Sequence, residues 1–148
     1  MAFTQGIHTI NILTANQGFN SSVTPVDITG FSFLVQAAKR IKWKVRGVFT
    51  LGATGGFRFL AHNTSAPTTY NAEFSVNDVT TPANFYAAQS TEAAFTNASA
   101  VASNYRLLAE GEVTANAATT FSFQFAQNNS TANDITILAG ATIDIWQF

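Results

Sequence analysis

The chain has 148 residues, the size of one ordinary domain, with 47% hydrophobic residues, 10% charged residues and a formal net charge of -1. A typical soluble domain is about 25% charged, so Asn, Thr, Ser and Gln must supply most of this surface's hydration. The absence of cysteine excludes disulfides, thiol nucleophiles and Cys-ligated metal sites, and the near-neutral balance gives no whole-molecule attraction for nucleic acid.

The amino end, MAFTQGIHTINILTANQ, has no basic leader followed by a long apolar block. No apolar run approaches the roughly 20 residues that span a bilayer. The expectation is a protein made in a cytoplasm and kept off membranes. HTINIL at 8–13 reads as the first strand. FSFLVQ at 31–36 alternates with a period of two, as a half-buried strand does. IKWKVRGVFTL continues that rhythm: Ile41, Trp43, Val45, Phe49 and Leu51 point one way and Lys42, Lys44 and Arg46 the other. The turn-forming GATGG at 52–56 and the following GFRFLA predict a hairpin over 41–61.

Residues 83–104 are Ala-rich and polar, and fit either a short helix near 87–95 or a long loop. YRLLAEGEVT at 105–114 is a further strand. FSFQFAQ at 121–127 aligns Phe121, Phe123 and Phe125 opposite Ser122, Gln124 and Ala126. DITIL and TIDIWQF supply the last two strands around Ala139 and Gly140. No linker, repeat or composition break divides the chain, so residues 1–148 read as a single all-β domain. Many short strands between Gly, Asn and Thr turns point to an antiparallel sandwich or barrel, with a jelly roll the favoured version. The 14 Phe are many for one small core, which places some of them in an intersubunit interface.

Candidate chemistry is sparse. The only histidines are His8 and His62, neither in a Gly-x-Ser-x-Gly elbow, and both read as structural. Glu110 and Glu112 share a strand face, whereas glycosidase chemistry needs carboxylates opposed across a cleft. GATGG lacks the Lys-Ser/Thr of a phosphate loop. These readings predict no catalytic residue, no metal site and no cofactor. Asn63-Thr64-Ser65, Asn97-Ala98-Ser99 and Asn129-Ser130-Thr131 reflect abundant Asn, Ser and Thr, since no secretory leader precedes them.

The basic segment KRIKWKVR holds five of the seven Lys and Arg residues. Lys42, Lys44 and Arg46 form a positive stripe, with Lys39 and Arg40 at its entry. It reads either as a solvated outer face or as a seat for an acidic partner surface. Trp43 points to the opposite face and is unable to stack bases beside those lysines, which argues against nucleic acid.

FSFLVQAAKRIKWKVRGVFTLGATGGFRFLA, taken with the late EGEVTANAATTFSFQFAQNNSTANDITILAGATIDIWQF, resembles the small jelly-roll virion proteins of tailed bacteriophages. The resemblance rests on the basic-aromatic strand, on Phe123-Gln124-Phe125-Ala126-Gln127-Asn128 and on Ala139-Gly140-Ala141 before the final strand. It covers about two thirds of the chain and leaves out residues 62–104. It implies a barrel similar to tumour-necrosis-factor and complement-C1q folds, a homotrimer, and most closely a capsid decoration, or cement, protein. Such a protein binds the major capsid protein on the outside of the head, with no enzymatic activity. A trimeric fibre or spike-tip module that binds host glycans is the alternative. On this reading Lys39, Arg40, Lys42, Lys44 and Arg46 are candidates for contact with the capsid. Asp144, Trp146 and Phe148, opposite the core-facing Ile143 and Ile145, are candidates for the trimer interface. The segment up to Thr29 is free to serve as an amino-terminal arm.

Overall fold

The computed structural model describes residues 6–19, 22–52, 56–81, 83–97, 102–129 and 134–148. They form antiparallel sheets packed as a sandwich. In chain order the strands are β1 (Ile7–Ile12), β2 (Gln17–Phe19), β3 (Val26–Val35), β4 (Arg40–Leu51), β5 (Phe57–Asn63), β6 (Thr69–Asp78), β7 (Asn84–Gln89), β8 (Phe95–Asn97), β9 (Ser103–Thr114), β10 (Thr119–Ala126), β11 (Ile135–Ile137) and β12 (Thr142–Gln147). The large sheet runs β1-β12-β4-β9-β6-β7, and the small one runs β3-β10-β5-β8.

β11 and β12 both pair with β4, at Phe49–Leu51 and at Ile41–Arg46 respectively, so they form one line interrupted by the turn at Ala139 and Gly140. β2 and β1 flank that line in the same order. The turn is held where Leu13 N donates to Ala141 O and Gly140 N to Leu13 O, each 2.8 Å. Gly140 takes φ +89° there, a left-handed conformation that glycine adopts without a Cβ penalty. Of the segment up to Thr29, β1 and β2 are thus strands of the large sheet.

The period of two decides what is buried. Phe121, Phe123 and Phe125 on β10 meet Trp43 and Phe49 on β4, Phe57 and Phe59 on β5, and Phe74 on β6 in one continuous core, all at or near zero exposure. Trp43 sits at its centre, with ring centroids 5.6 Å from Phe121 and 5.8 Å from Phe123. Aromatic residues therefore fill the space between the sheets, where each ring removes a large apolar area from water. Most of the phenylalanines are used in this way.

Two expectations are corrected. Residues 41–61 are not a hairpin: β4 pairs with β9, β11 and β12, while β5 pairs with β10 and β8 in the other sheet. The connection crosses the sandwich, and Phe49 meets Phe57 and Phe59 edge to face through the core, at 5.5 and 5.0 Å. The alternating pattern was right for each strand but is equally satisfied by neighbours in one sheet and by opposed strands in two. Of the GATGG turn, residues 53–55 lie outside the described residues.

The second correction concerns 87–95, for which the composition allows a short helix or a long loop. Residues 84–89 are strand β7, Phe85 and Ala87 pack against the core, and β8 begins at Phe95. The period of two between Phe85 and Ala87 outweighs alanine's helix propensity once a sheet edge is available.

In β3 the burial rhythm slips at Gly30, which has φ +79°. Ser122 pairs with Ser32 but Gln124 pairs with Asp27, so the segment between Asp27 and Ser32 bulges opposite Phe123.

Candidate interaction face

The outer face of the large sheet gathers nearly every residue singled out in the sequence. β12 lies between β1 and β4, and β4 between β12 and β9. Reading across these strands, one row is His8, Trp146, Lys42, Glu112 and Asn71. The next is Ile10, Asp144, Lys44, Glu110 and Glu73, and a third is Ile12, Thr142, Arg46, Leu108 and Ser75. The capsid-contact and trimer-interface candidates are therefore one contiguous surface, with Trp146 opposite Lys42 and Asp144 opposite Lys44. Ile143 and Ile145 are buried on the other face of β12 and Trp43 on that of β4, as the alternation predicts.

Most of the basic stripe is neutralised within the chain. Lys44 Nζ lies 2.8 Å from Glu110 Oε2, Lys42 Nζ 3.9 Å from Glu112 Oε2, and Arg40 Nη1 3.5 Å from Glu112 Oε1. Each Glu that looked like half of a carboxylate pair thus stands opposite its own lysine. Lys39 sits in the turn before β4, where its carbonyl accepts from Ala115 N.

The end of the chain is fastened to the same place. His8 Nε2 is 3.6 Å from Asp144 Oδ1, and the His8 ring stacks on Trp146. Phe148 N donates to Arg40 O over 2.9 Å, and the Arg40 guanidinium lies 5.4 Å from the Phe148 ring centre. Between Trp146 and Phe148 on one side and Asn71 and Glu73 on the other is a shallow trough of about 570 Å³, with Lys42, Lys44, Glu110 and Glu112 along it. Its rim continues into exposed Ile10, Ile12 and Leu108. An exposed apolar group interleaved with internally paired charges is the kind of surface that a partner covers at modest desolvation cost.

A second polar cluster lies at the edge of the small sheet. His62 Nδ1 is 2.6 Å from Glu92 Oε1, while Asn63 N and Nδ2 donate to Glu92 Oε2 at 3.1 and 3.2 Å. Burial first, and then the Glu92 charge, push the Tyr70 phenol pKa up, and its hydroxyl donates to Ala61 O. Glu92 thus ties the loop before β8 to β5. Among the described residues no hydroxyl hydrogen-bonds either histidine ring, and no group of three or more His, Asp or Glu is placed to hold a metal ion. No described helix is long and apolar enough to cross a membrane.

Sequence reasoning missed Arg106 and Glu73 on this face. The signal for Arg106 was present: it shares the even-numbered face of β9 with Glu110 and Glu112, one face of an alternating strand. Glu73 lay in the stretch 62–104, where no strand had been assigned.

The geometry defines an all-β antiparallel sandwich with a mixed aromatic and ion-paired sheet face. No family model matches the chain, and no curated protein matches it. Among solved structures it matches one titled "Structure of infectious bursal disease virus Gx strain", at 9% identity and a TM-score of 0.24, over 97% of this chain and 40% of that one. The chain therefore spans less than half the length of that viral chain, and a likeness of this degree decides neither fold nor function.

Proposed function

We propose that this chain is a non-enzymatic structural part of a phage virion: a jelly roll that assembles as a homotrimer and decorates the outer surface of the head, bound to the major capsid protein. Strand order supports the jelly-roll reading. With β1/β2 and β11/β12 each taken as one line and the β6-β7 hairpin as an addition, the eight remaining strands lie in the order 1-8-3-6 facing 2-7-4-5, the interleaving of two Greek keys. The motif resemblance supports the virion reading. The observation that carries assembly is the outer face of the large sheet, where Trp146, Phe148, Ile10 and Ile12 adjoin charges already paired inside the chain.

The mechanism is binding alone. Each bound trimer stabilises the state it binds by mass action, and the linkage of three copies within one trimer makes dissociation rare. Because the aromatic side chains and the basic stripe share one face, the aromatic end near β12 serves contacts between copies. The cationic residues Lys39, Arg40, Lys42, Lys44 and Arg46 then face the shell from what remains uncovered. Sedimentation equilibrium is expected to give a mass three times 15.8 kDa, reduced to the monomer by Trp146→Asp with Phe148→Ser. A monomeric wild-type protein contradicts the assembly, and failure of the wild type to bind shells that lack it contradicts decoration.

One observation favours the spike-tip alternative: the Trp146 and Phe148 walls beside Asn71 and Glu110 offer a sugar a stacking surface and hydrogen-bonding groups in one trough. On that reading Trp146 remains open in the assembly. An oligosaccharide that raises the melting temperature of wild type but not of Trp146→Ala supports it.

A further inference from the structure

We infer that Arg46 and Arg106 form a carboxylate-binding site for an acidic segment of a partner protein. The inference stands whether or not the chain is part of a virion. The two arginines come from neighbouring strands: Arg46 pairs with Leu108 and Val48 with Arg106, so they are diagonal neighbours on the outer face of β4 and β9. Both are exposed. Arg40, Lys42 and Lys44 each have a glutamate, but neither Arg46 nor Arg106 has a carboxylate partner among the described residues. Two like charges side by side with no counter-ion repel one another, and an arriving anion relieves that repulsion as well as accepting hydrogen bonds.

The arginines open onto a hollow of about 670 Å³ that adjoins the Trp146 trough at Lys44. Gly47 forms part of its floor, where a Cβ would come within 2.9 Å of the Ala141 Cβ, so the turn after β11 lies directly on β4. Asn77, Thr142 and the Glu110-paired Lys44 add polar groups, while Val48, Leu108 and Leu138 supply apolar ones. A guanidinium presents a planar fork that matches a carboxylate in two parallel hydrogen bonds.

The lining also selects the class of ligand. No aromatic ring lines this hollow, so it offers neither the stacking platform that sugars use nor the one on which single-stranded bases stack. The apolar side chains beside the arginines fit instead a Glu or Asp flanked by aliphatic residues. The site takes a carboxylate at Arg46 and Arg106 and a neighbouring apolar side chain at Val48, Leu108 and Leu138. Neutralised lysines nearby leave these two arginines as the concentrated positive field of the face.

The test uses the full chain and an acetylated, amidated peptide Leu-Glu-Leu-Asp-Leu, with Leu-Gln-Leu-Asn-Leu as the neutral control. Binding is followed by NMR of the arginine Nε–H signals. The acidic peptide is expected to shift both arginine signals saturably and the control to leave them unmoved. Arg46→Gln with Arg106→Gln is expected to weaken binding by about tenfold or more, the loss expected for one charge-assisted contact. Equal binding by the double variant or by the neutral peptide overturns the site, as does an absence of saturable shifts. A sulfated oligosaccharide or a single-stranded oligonucleotide that binds more tightly than the peptide overturns the assignment to a protein carboxylate. Both substitutions lie on an exposed face, and an unchanged urea midpoint for the variant shows that the fold is intact.

Discussion

His8 lies flat against Trp146, with ring centroids 4.7 Å apart and planes inclined by 6°, and this contact joins the first described strand to the last. β1 is an edge strand whose ladder partner is β12 alone, so the stack and the His8–Asp144 pair help fix its register where backbone bonds alone permit slippage. An aromatic pair of this kind contributes about 0.5–1.5 kcal/mol beyond its buried area. His8→Ala is expected to lower the urea unfolding free energy by about 1 kcal/mol and to increase amide exchange in β1 specifically. Uniform exchange changes across both sheets contradict this account of the edge.

Gly111 stands opposite Trp43 in the β4-β9 ladder and pairs with Ala72 on β6. A Cβ at this position collides with the Asn71 carbonyl oxygen and comes within 2.6 Å of Trp43 Cζ2. The carbonyl belongs to the paired backbone of β6, and Trp43 is enclosed by Phe74, Phe121 and Phe123, so neither neighbour yields cheaply. Gly111→Ala is expected to destabilise by about 1–3 kcal/mol or more, read as a lowered thermal midpoint. A midpoint equal to wild type contradicts the packing described around Trp43.

Two aspartates predict an acid limb to stability. Burial raises the Asp27 pKa, but hydrogen bonds from Gln124, Ser122 and Ser32 outweigh it and leave the carboxyl below its ordinary 3.8. The Thr80 backbone N–H, then the Ser103 hydroxyl and the remaining partners, hold Asp78 well below the same value. A depressed folded pKa means that the charged form favours folding above pH 3.8 and that this contribution is lost as pH falls through the folded pKa. Urea midpoints are therefore expected to fall as pH drops below about 4, and to fall less steeply in Asp27→Asn and Asp78→Asn. Parallel pH profiles for wild type and both variants contradict these assignments.

Glu92 accepts from the Asn63 backbone and side chain and pairs with His62. Its removal leaves the Asn63 donors unsatisfied in a partly buried place, a loss of about 1–3 kcal/mol. Glu92→Ala is expected to reach that range, with faster proteolysis in the loop before β8. Unchanged cleavage of that loop contradicts the tether.

The faces of individual strands were legible because burial follows a period of two: Trp43, Phe121 to Phe125 and Ile143 and Ile145 lie where alternation places them. Partnership was not legible, because alternation says which side of a strand is apolar and nothing about what faces it. Phe49 and Phe57 therefore read as one hairpin when they meet across the core, and the 62–104 stretch concealed the β6-β7 hairpin and the start of β9. The charges illustrate the same limit. Lys42 and Lys44, and Glu110 and Glu112, have identical spacing on separate strands, yet only the β4-β9 register turns two single-sign stripes into pairs and leaves Arg46 and Arg106 over.

The central claim is that this sandwich is a many-copy part of a virion, and it is tested most directly by counting the chain in purified virus particles from the source of the sequence. Quantitative mass spectrometry against the major coat protein is expected to find the two in comparable numbers. A handful of copies per particle, or none, contradicts a decoration protein.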